Sequence, residues 1–316
     1  MSAPHVLVLC KRTSYRTLVL EDKDTRIESL LARGDPTVRR LRRSHEDHEA
    51  PRAEVERVLK ELRVEAKIVD GAHSKVDGKF DLVVTVGGDG TLLAASHRVG
   101  PDVPVLGINS APAHSVGFFC AARKETAREC LSEALQGTMK GTVLSRMRVD
   151  VNGTCFHKRV LNDALFCHEI PAATSRYILR VTHGDGHFEE EEQKSSGLWV
   201  GPAAGSTAAQ RSAGGLVLPL TSRKVQYVVR EPYTPRGDRL ALFRGTIDEE
   251  GALVILNKMR HAKLFLDGHH IAHPVTVGDV ITMRRSDETL TVLGLGRANG
   301  KERRRRSPEE GRAVRP

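Results

Sequence analysis

The sequence predicts an α/β protein, with an N-terminal doubly wound parallel-sheet domain followed by a mostly antiparallel, sandwich-like β domain. Three observations support this. Val6–Leu9, Ala66–Val69, Phe80–Val86 and Val103–Ile108 are short apolar runs separated by stretches with helical spacing, as when strands buried on both faces alternate with helices. Beyond about residue 145 the runs become short and strand-like, and Asn152-Gly153, Asp185-Gly186, Glu250-Gly251 and Asp267-Gly268 divide them. Such pairs form tight turns between antiparallel strands. Gly87-Gly88-Asp89-Gly90-Thr91 closes one of the apolar runs, at the strand end where open α/β sheets bind ligands.

Taken in order, Val6-Leu7-Val8-Leu9 is the first strand. Residues 14–50 read as a charged, irregular and partly mobile stretch that includes Arg39-Arg40-Leu41-Arg42-Arg43. Glu54–Leu62 places Val55, Val58, Leu59 and Leu62 at helical spacing. Leu92–Val99 and Lys124–Leu135 are the next helices. In the second half the expected strands are Arg146–Val151, His157–Leu161, Tyr177–Thr182, Gly197–Val200, Lys224–Val229, Leu253–Leu256, Lys263–Leu266, Asp279–Met283 and Thr289–Leu293, with one helix at Ser206–Ala213. Glu189–Glu192 reads as a solvated loop or strand edge. The expected domains are 1–144 and 145–296, the end of the second packing back on the first, with a disordered basic tail at 297–316.

Composition narrows the function. With 316 residues and 39% apolar content the chain can build two cores. Aromatic residues are only 4%, which argues against nucleic-acid binding by base stacking. The formal net charge is +9, but residues 297–316 hold eight Lys/Arg against three acids, so the remaining body is only mildly basic. The five cysteines are scattered, with no C-x-x-C pair, as expected of reduced thiols in a cytoplasmic protein. The chain has no apolar run of the ~18 residues a membrane span needs, and its first strand starts too early for a leader peptide.

The Gly87–Thr91 turn leads from a strand into a helix. Helix N-termini favour phosphate, and glycines let backbone N–H groups approach it. An acid at the centre of such a turn repels phosphate, so Asp89 points to a metal or to a hydroxyl that must lose its proton. The combination suggests phosphoryl transfer, with Lys11 and Arg12 available to neutralise charge. A second segment, Ser195–Gly215, runs from a strand through small residues to Ser206 and Thr207 at a helix start. It suits either ligand contact or tight packing. His45-Glu46-Asp47-His48 lacks H-E-x-x-H spacing, and His269 and His273, on one face of a strand, stand too far apart to chelate an ion.

The two segments together resemble the NAD kinase family, which carries a G-G-D-G-T turn in an α/β domain and a G-S-T-A-Y-x-x-S-A-G-G segment in a β domain. Asn162-Asp163 falls where the family has Asn-Glu, and Ser175-Arg176 and Asp267-Gly268 where it has Ser-Arg and Asp-Gly. The similarity spans roughly residues 5–295. Ala209 replaces the family's Tyr, Ser196 stands where many members have Asp, and Asp163 replaces Glu. In these details the chain is similar to plant NADH kinases.

The resemblance implies transfer of the γ-phosphoryl of ATP, with Mg²⁺ held largely by the phosphates, to the 2′-hydroxyl of the adenosine ribose of NAD or NADH. Asp89 would be the catalytic acid–base residue. Gly87, Gly88, Gly90 and Thr91 would cradle phosphate, with Asn109 as a further contact. Asn162 and Asp163 would hold the ribose, and Ser196, Gly205, Ser206, Thr207, Ala208 and Ser212 would complete a nucleotide cleft between the domains. No protein metal ligand is implied. A homodimer or homotetramer is implied, with no membrane or specific nucleic-acid partner. The redox form of the dinucleotide and the donor, ATP or polyphosphate, stay open. The rival readings are a lipid kinase of the G-G-D-G-T type, which leaves Gly205–Gly215 unexplained, and a non-catalytic dinucleotide sensor, which leaves Asp89 unexplained.

Overall fold

The computed structural model describes residues 4–71, 76–113, 115–234 and 240–296; the tail at 297–316 lies outside them. The described residues form two compact units. One comprises the residues up to Ala95, Asp102–Thr142 and those from Thr291 on; the other comprises Ser96–Pro101 and Val143–Leu290. No helix among the described residues is long and apolar enough to cross a membrane.

The first unit contains β1 (Val6–Cys10), β2 (Ala66–Asp70), β3 (Leu82–Gly87), β4 (Val105–Asn109), β5 (Cys120–Ala122) and the start of β6 (Gly141–Leu144), which the boundary after Thr142 divides. β1 pairs in parallel with β2 on one side and β3 on the other, and β3 pairs in parallel with β4. The strand order therefore reverses beside β1, creating a switch point of the kind that opens a crevice at the carboxyl ends of strands. Every residue of β1, β3 and β4 is buried, which explains their unbroken apolar character. The helices are α1 (Thr25–Ala32), α2 (Leu41–Glu61), α3 (Asp89–Ser96) and α4 (Ala127–Leu135). Val55, Val58 and Leu59 of α2 and Ala127, Cys130 and Leu131 of α4 share a core with Val6, Val8, Val84, Val86, Leu106 and Ile108.

Two expectations are corrected here. Residues 14–50 are largely helical rather than irregular. They form a π-helical turn at Arg16–Glu21, α1, whose Asp24 accepts from the N–H groups of Arg26 and Ile27, and the first half of α2. Pro51 lies inside α2 and His48 takes one of its buried positions, so neither the usual breaker nor the apolar spacing marks the helix. The second correction is that α3 begins at Asp89, not Leu92.

The second unit holds β7 (Met147–Val151), β8 (Thr154–Val160), β9 (Ala164–His168), β10 (Ser175–Thr182), β11 (Phe188–Ser195), β12 (Leu198–Pro202), β13 (Val225–Val229), β14 (Arg244–Ile247), β15 (Ala252–Asn257), β16 (Ala262–Leu266), β17 (Ile271–Val275) and β18 (Val280–Arg285). They form two sheets, ordered β11-β10-β15-β18-β7-β8 and β14-β13-β12-β9-β16-β17. Tyr177, Leu179, Ile255 and Met283 of one sheet share a core with Phe166, Leu198, Val200 and Leu264 of the other, as in a sandwich. Phe166 meets Tyr177 edge to face, with ring centres 5.4 Å apart. The expected Ser206–Ala213 helix is a 3-10 turn, Ala203–Thr207, followed by the short α5 (Ala209–Ser212). A final strand, β19 (Leu290–Leu293), pairs in parallel with β4.

One polar residue is central to the second unit. Arg146 has no exposed surface. Its guanidinium donates to the carbonyls of Ser96 (2.9 Å), Val99 (2.9 Å), Glu288 (3.1 Å) and Thr289 (2.8 Å). Burial, and Arg159 nearby, lower its pKa to about 10, so it remains charged at neutral pH.

Candidate active site

In the first unit, β3 delivers Gly87 to the sheet edge and Asp89 opens α3. The first turn of a helix has unpaired N–H groups and a positive dipole end, so a carboxylate is favourable there. The two oxygens of Asp89 also accept the N–H groups of Phe118 (2.9 Å) and Phe119 (2.8 Å). Each oxygen keeps a further lone pair for a hydroxyl donor. A Cβ on Gly87 would collide with the Thr91 hydroxyl, and one on Gly88 would lie 2.6 Å from Ser115 Oγ. Nothing lies within 4 Å of a Cβ built on Gly90, and that residue is exposed. Packing thus explains the first two glycines, and Gly90 leaves open backbone for a ligand.

Thr91 is buried, with its hydroxyl over Gly87. Asn109 shapes the loop after β4. Its Oδ1 accepts from Ala111 N (3.1 Å) and its Nδ2 donates to Ser115 O (3.1 Å). A cavity of about 480 Å³ lined by Arg40, Ser44, Pro112, Ala113, Ser115 and Val116 lies beside this loop, within the size range of small-molecule sites. Sequence reasoning missed Ser115, Phe118 and Phe119. Two of these act through backbone N–H groups, which leave no side-chain signature. Arg12 is tied to Glu21 (Nε to Oε2, 2.9 Å).

In the second unit, Asn162 and Asp163 link β8 to β9. The N–H groups of Leu161 (2.8 Å), Asn162 (2.7 Å) and Asp163 (2.9 Å) all donate to the Asp267 carboxylate. Asp267 and Gly268 both adopt positive φ, 48° and 108°, as a tight turn between β16 and β17 requires. The small-residue segment packs directly on this link: a Cβ on Gly205 or Gly201 would fall on the carbonyl oxygen of Asn162, which also accepts from Gln210 Nε2 (3.3 Å). Thus Asn162, Asp163 and Gly205 are brought together.

The other residues of that segment differ in exposure. Ser206 is fully buried. Its hydroxyl donates to Ala203 O (2.7 Å) and accepts from Leu218 N (3.0 Å), so it holds the turn. Thr207 and Ser212 are exposed, and Ala208 and Ser196 half-buried.

The acids here are strongly perturbed. Burial, then the charge of Asp267, pushes Asp163 up to about 7. Burial raises Asp267 to about 6 against the pull of its three N–H donors. Folded Asp163 therefore keeps a proton between about pH 4 and 7 that the unfolded chain has lost. Its stabilising contribution is full below pH ~4 and disappears as pH rises through about 7. Asp163→Asn should gain stability relative to the parent over that window, reaching on the order of 4 kcal/mol above pH 7. Thermal melts at pH 5 and pH 8 check this; an equal shift at both pH values would contradict it.

His45 and His48 turn to different partners. His45 bonds Thr13 Oγ1 and His48 bonds Ser110 Oγ, each at 2.9 Å. His269 and His270 lie in the turn before β17, and His273 lies against Phe156, so His269 and His273 do not share a strand. Among the described residues, no group of three or more His, Cys, Asp or Glu is placed to hold a metal.

Comparisons with known proteins point to one family. The model of the ATP-NAD kinase N-terminal domain matches residues 8–139. A probable NADH kinase of Oryza sativa subsp. japonica is 35% identical over 229 residues, covering 67% of this chain and 70% of its own length. The NADH kinase of Arabidopsis thaliana is 37% identical over 230 residues, covering 67% and 72%. The crystal structure of yeast NADH kinase complexed with NADH shares the fold at 14% identity, with a TM-score of 0.70 over 100% of this chain and 90% of that one. With a plant relative this similar over more than two thirds of its length, and the GGDGT turn and Asn162–Gly205 contact in place, the chain belongs to the NAD kinase family.

Proposed function

We propose that the protein transfers the γ-phosphoryl of ATP to the 2′-hydroxyl of the adenosine ribose of NADH or NAD. The observation that carries this reading is Asp89, at the open end of β3 with its carboxylate held by two consecutive N–H groups. Asp89 takes the 2′-hydroxyl proton as the O2′–P bond forms and the bond from the γ-phosphorus to the bridging oxygen breaks, releasing ADP. The exposed backbone at Gly90 serves the phosphates, and Asn162 and Asp163 hold ribose hydroxyls. The Mg²⁺ that such a donor needs would be held largely by the phosphates and water and would supply neutralisation of the triphosphate charge, while Asp89, whose two oxygens already accept from the Phe118 and Phe119 N–H groups, would stay with the ribose hydroxyl.

Because the plant relatives are named NADH kinases, and Ala209 stands in place of the family's Tyr, kcat/KM should be higher with NADH than with NAD. The test is purified protein with Mg-ATP and either dinucleotide, the product read by an NADP(H)-specific dehydrogenase. Failure to form NADP(H), with diacylglycerol phosphorylated instead, would identify a lipid kinase. Dinucleotide binding without turnover would identify a sensor.

A further inference from the structure

Asp267 has no exposed side-chain surface, yet it organises three successive backbone N–H groups. Its Oδ1 takes those of Asn162 and Asp163, and its Oδ2 that of Leu161. Oδ2 has a second neighbour, the Nε2 of His97 at 3.2 Å. The other ring nitrogen of His97 lies 2.7 Å from Nε2 of His157, and the two rings are 4.8 Å apart. The backbone of His97 is also fixed, its carbonyl accepting from Arg159 Nη1 at 3.3 Å. An ionised carboxylate offers only lone pairs, so across this 3.2 Å separation only a proton on Nε2 of His97 can bridge the two groups. Burial pushes His157 down to about 4, so it is neutral at physiological pH and can share its Nε2 with His97. All of these groups belong to the second unit.

We propose that His97 and His157 are positioning residues for the dinucleotide: through Asp267 they set the Leu161–Asp163 backbone and thereby the direction of the Asn162 and Asp163 side chains. This rests on the reading of Asn162 and Asp163 as ribose contacts. Neither histidine touches the reacting atoms. The chain His157–His97–Asp267 stops the carboxylate from turning away from three amides it must satisfy together. The residues are far apart in sequence and meet only in the fold, so no motif announces them.

The test has two readouts. The first is kinetic: His97→Ala should raise KM for NADH on the order of 10-fold, leave KM for ATP within about 2-fold of the parent, and change kcat little. His97→Gln, which keeps a nitrogen donor at similar reach, should recover most of the loss. His157→Phe, which keeps ring volume but not the bond to His97, should fall between them. The second readout is amide hydrogen exchange over the peptide spanning 161–163, without any substrate. Exchange there should be faster in His97→Ala than in the parent, with His97→Gln intermediate and melting temperatures of all variants close to the parent's.

Unchanged exchange in a folded His97→Ala protein overturns the proposal, as does an equal rise in KM for both substrates. If the parent makes no NADP(H) but His97→Ala still accelerates exchange at 161–163, the clamp stands and the dinucleotide reading fails. If His97→Ala does not fold, His157→Phe decides by the same two measurements.

Discussion

Asp89→Asn should lower kcat by on the order of 10²–10⁴ while the protein stays folded and KM for ATP changes little. The carboxamide has almost the same shape but cannot accept the ribose proton, so the step that creates the attacking oxygen loses its base. It also disturbs the side chain's seat. Phe118 N–H and Phe119 N–H point at the two carboxylate oxygens; an amide can satisfy only one of them and turns an N–H₂ against the other. Asp89 is only half-buried, so this conflict is relieved by a small rotation rather than by unfolding. The coupled assay gives kcat, and a thermal melt near the parent's shows that the loss is chemical. Near-normal turnover would remove Asp89 from the mechanism.

Arg146→Met should destabilise the second unit by about 3–5 kcal/mol, lowering its melting temperature by on the order of 10 °C. Methionine fills much of the volume but leaves the carbonyls of Ser96, Val99, Glu288 and Thr289 without the donors they now have, in a place water does not reach. Glu288 also loses a cation, although Lys158 and Arg159 still flank it. Arg146→Lys keeps the charge but gathers its donors on one nitrogen, which cannot span four carbonyls as the planar guanidinium does. It should recover only part of the loss. Circular-dichroism melts of the three proteins decide this: a lysine variant as stable as the parent would show that charge, not the fork of donors, is what the site needs.

The parts of this molecule visible in its sequence are those where one physical demand dominates. β1, β3 and β4 are buried on both faces, so they read as unbroken apolar runs. Turns such as Asn152-Gly153 need positive φ at both residues (50° and 78°), so their residue types identify them. The GGDGT turn was readable because an acid set among three glycines at the end of a buried strand is an unusual combination. α2 was only half visible: Pro51 and His48 occupy buried positions on it, so its first half lacks an apolar stripe. β9, central in its sheet, was missed because it is short and follows Asn162-Asp163 without a turn signal. The side chains of Asn109 and Ser206 hydrogen-bond within their own loops, a role their residue types do not reveal in advance. The parts of the site made by backbone, the Phe118 and Phe119 N–H groups and the Leu161–Asp163 amides, could not be read from side-chain chemistry.

The contact between Gly205 and the carbonyl of Asn162 has a consequence for how this protein can change over generations. Any side chain at 205, even a methyl group, displaces the Asn162 backbone, and any movement of that backbone reopens the space over Gly205. The two segments are therefore sterically coupled, so that a side chain at 205 requires a compensating shift at 162. The glycine and the asparagine backbone it touches can change only together, whereas Thr207, Ala209 and Ser212 are exposed or half-exposed.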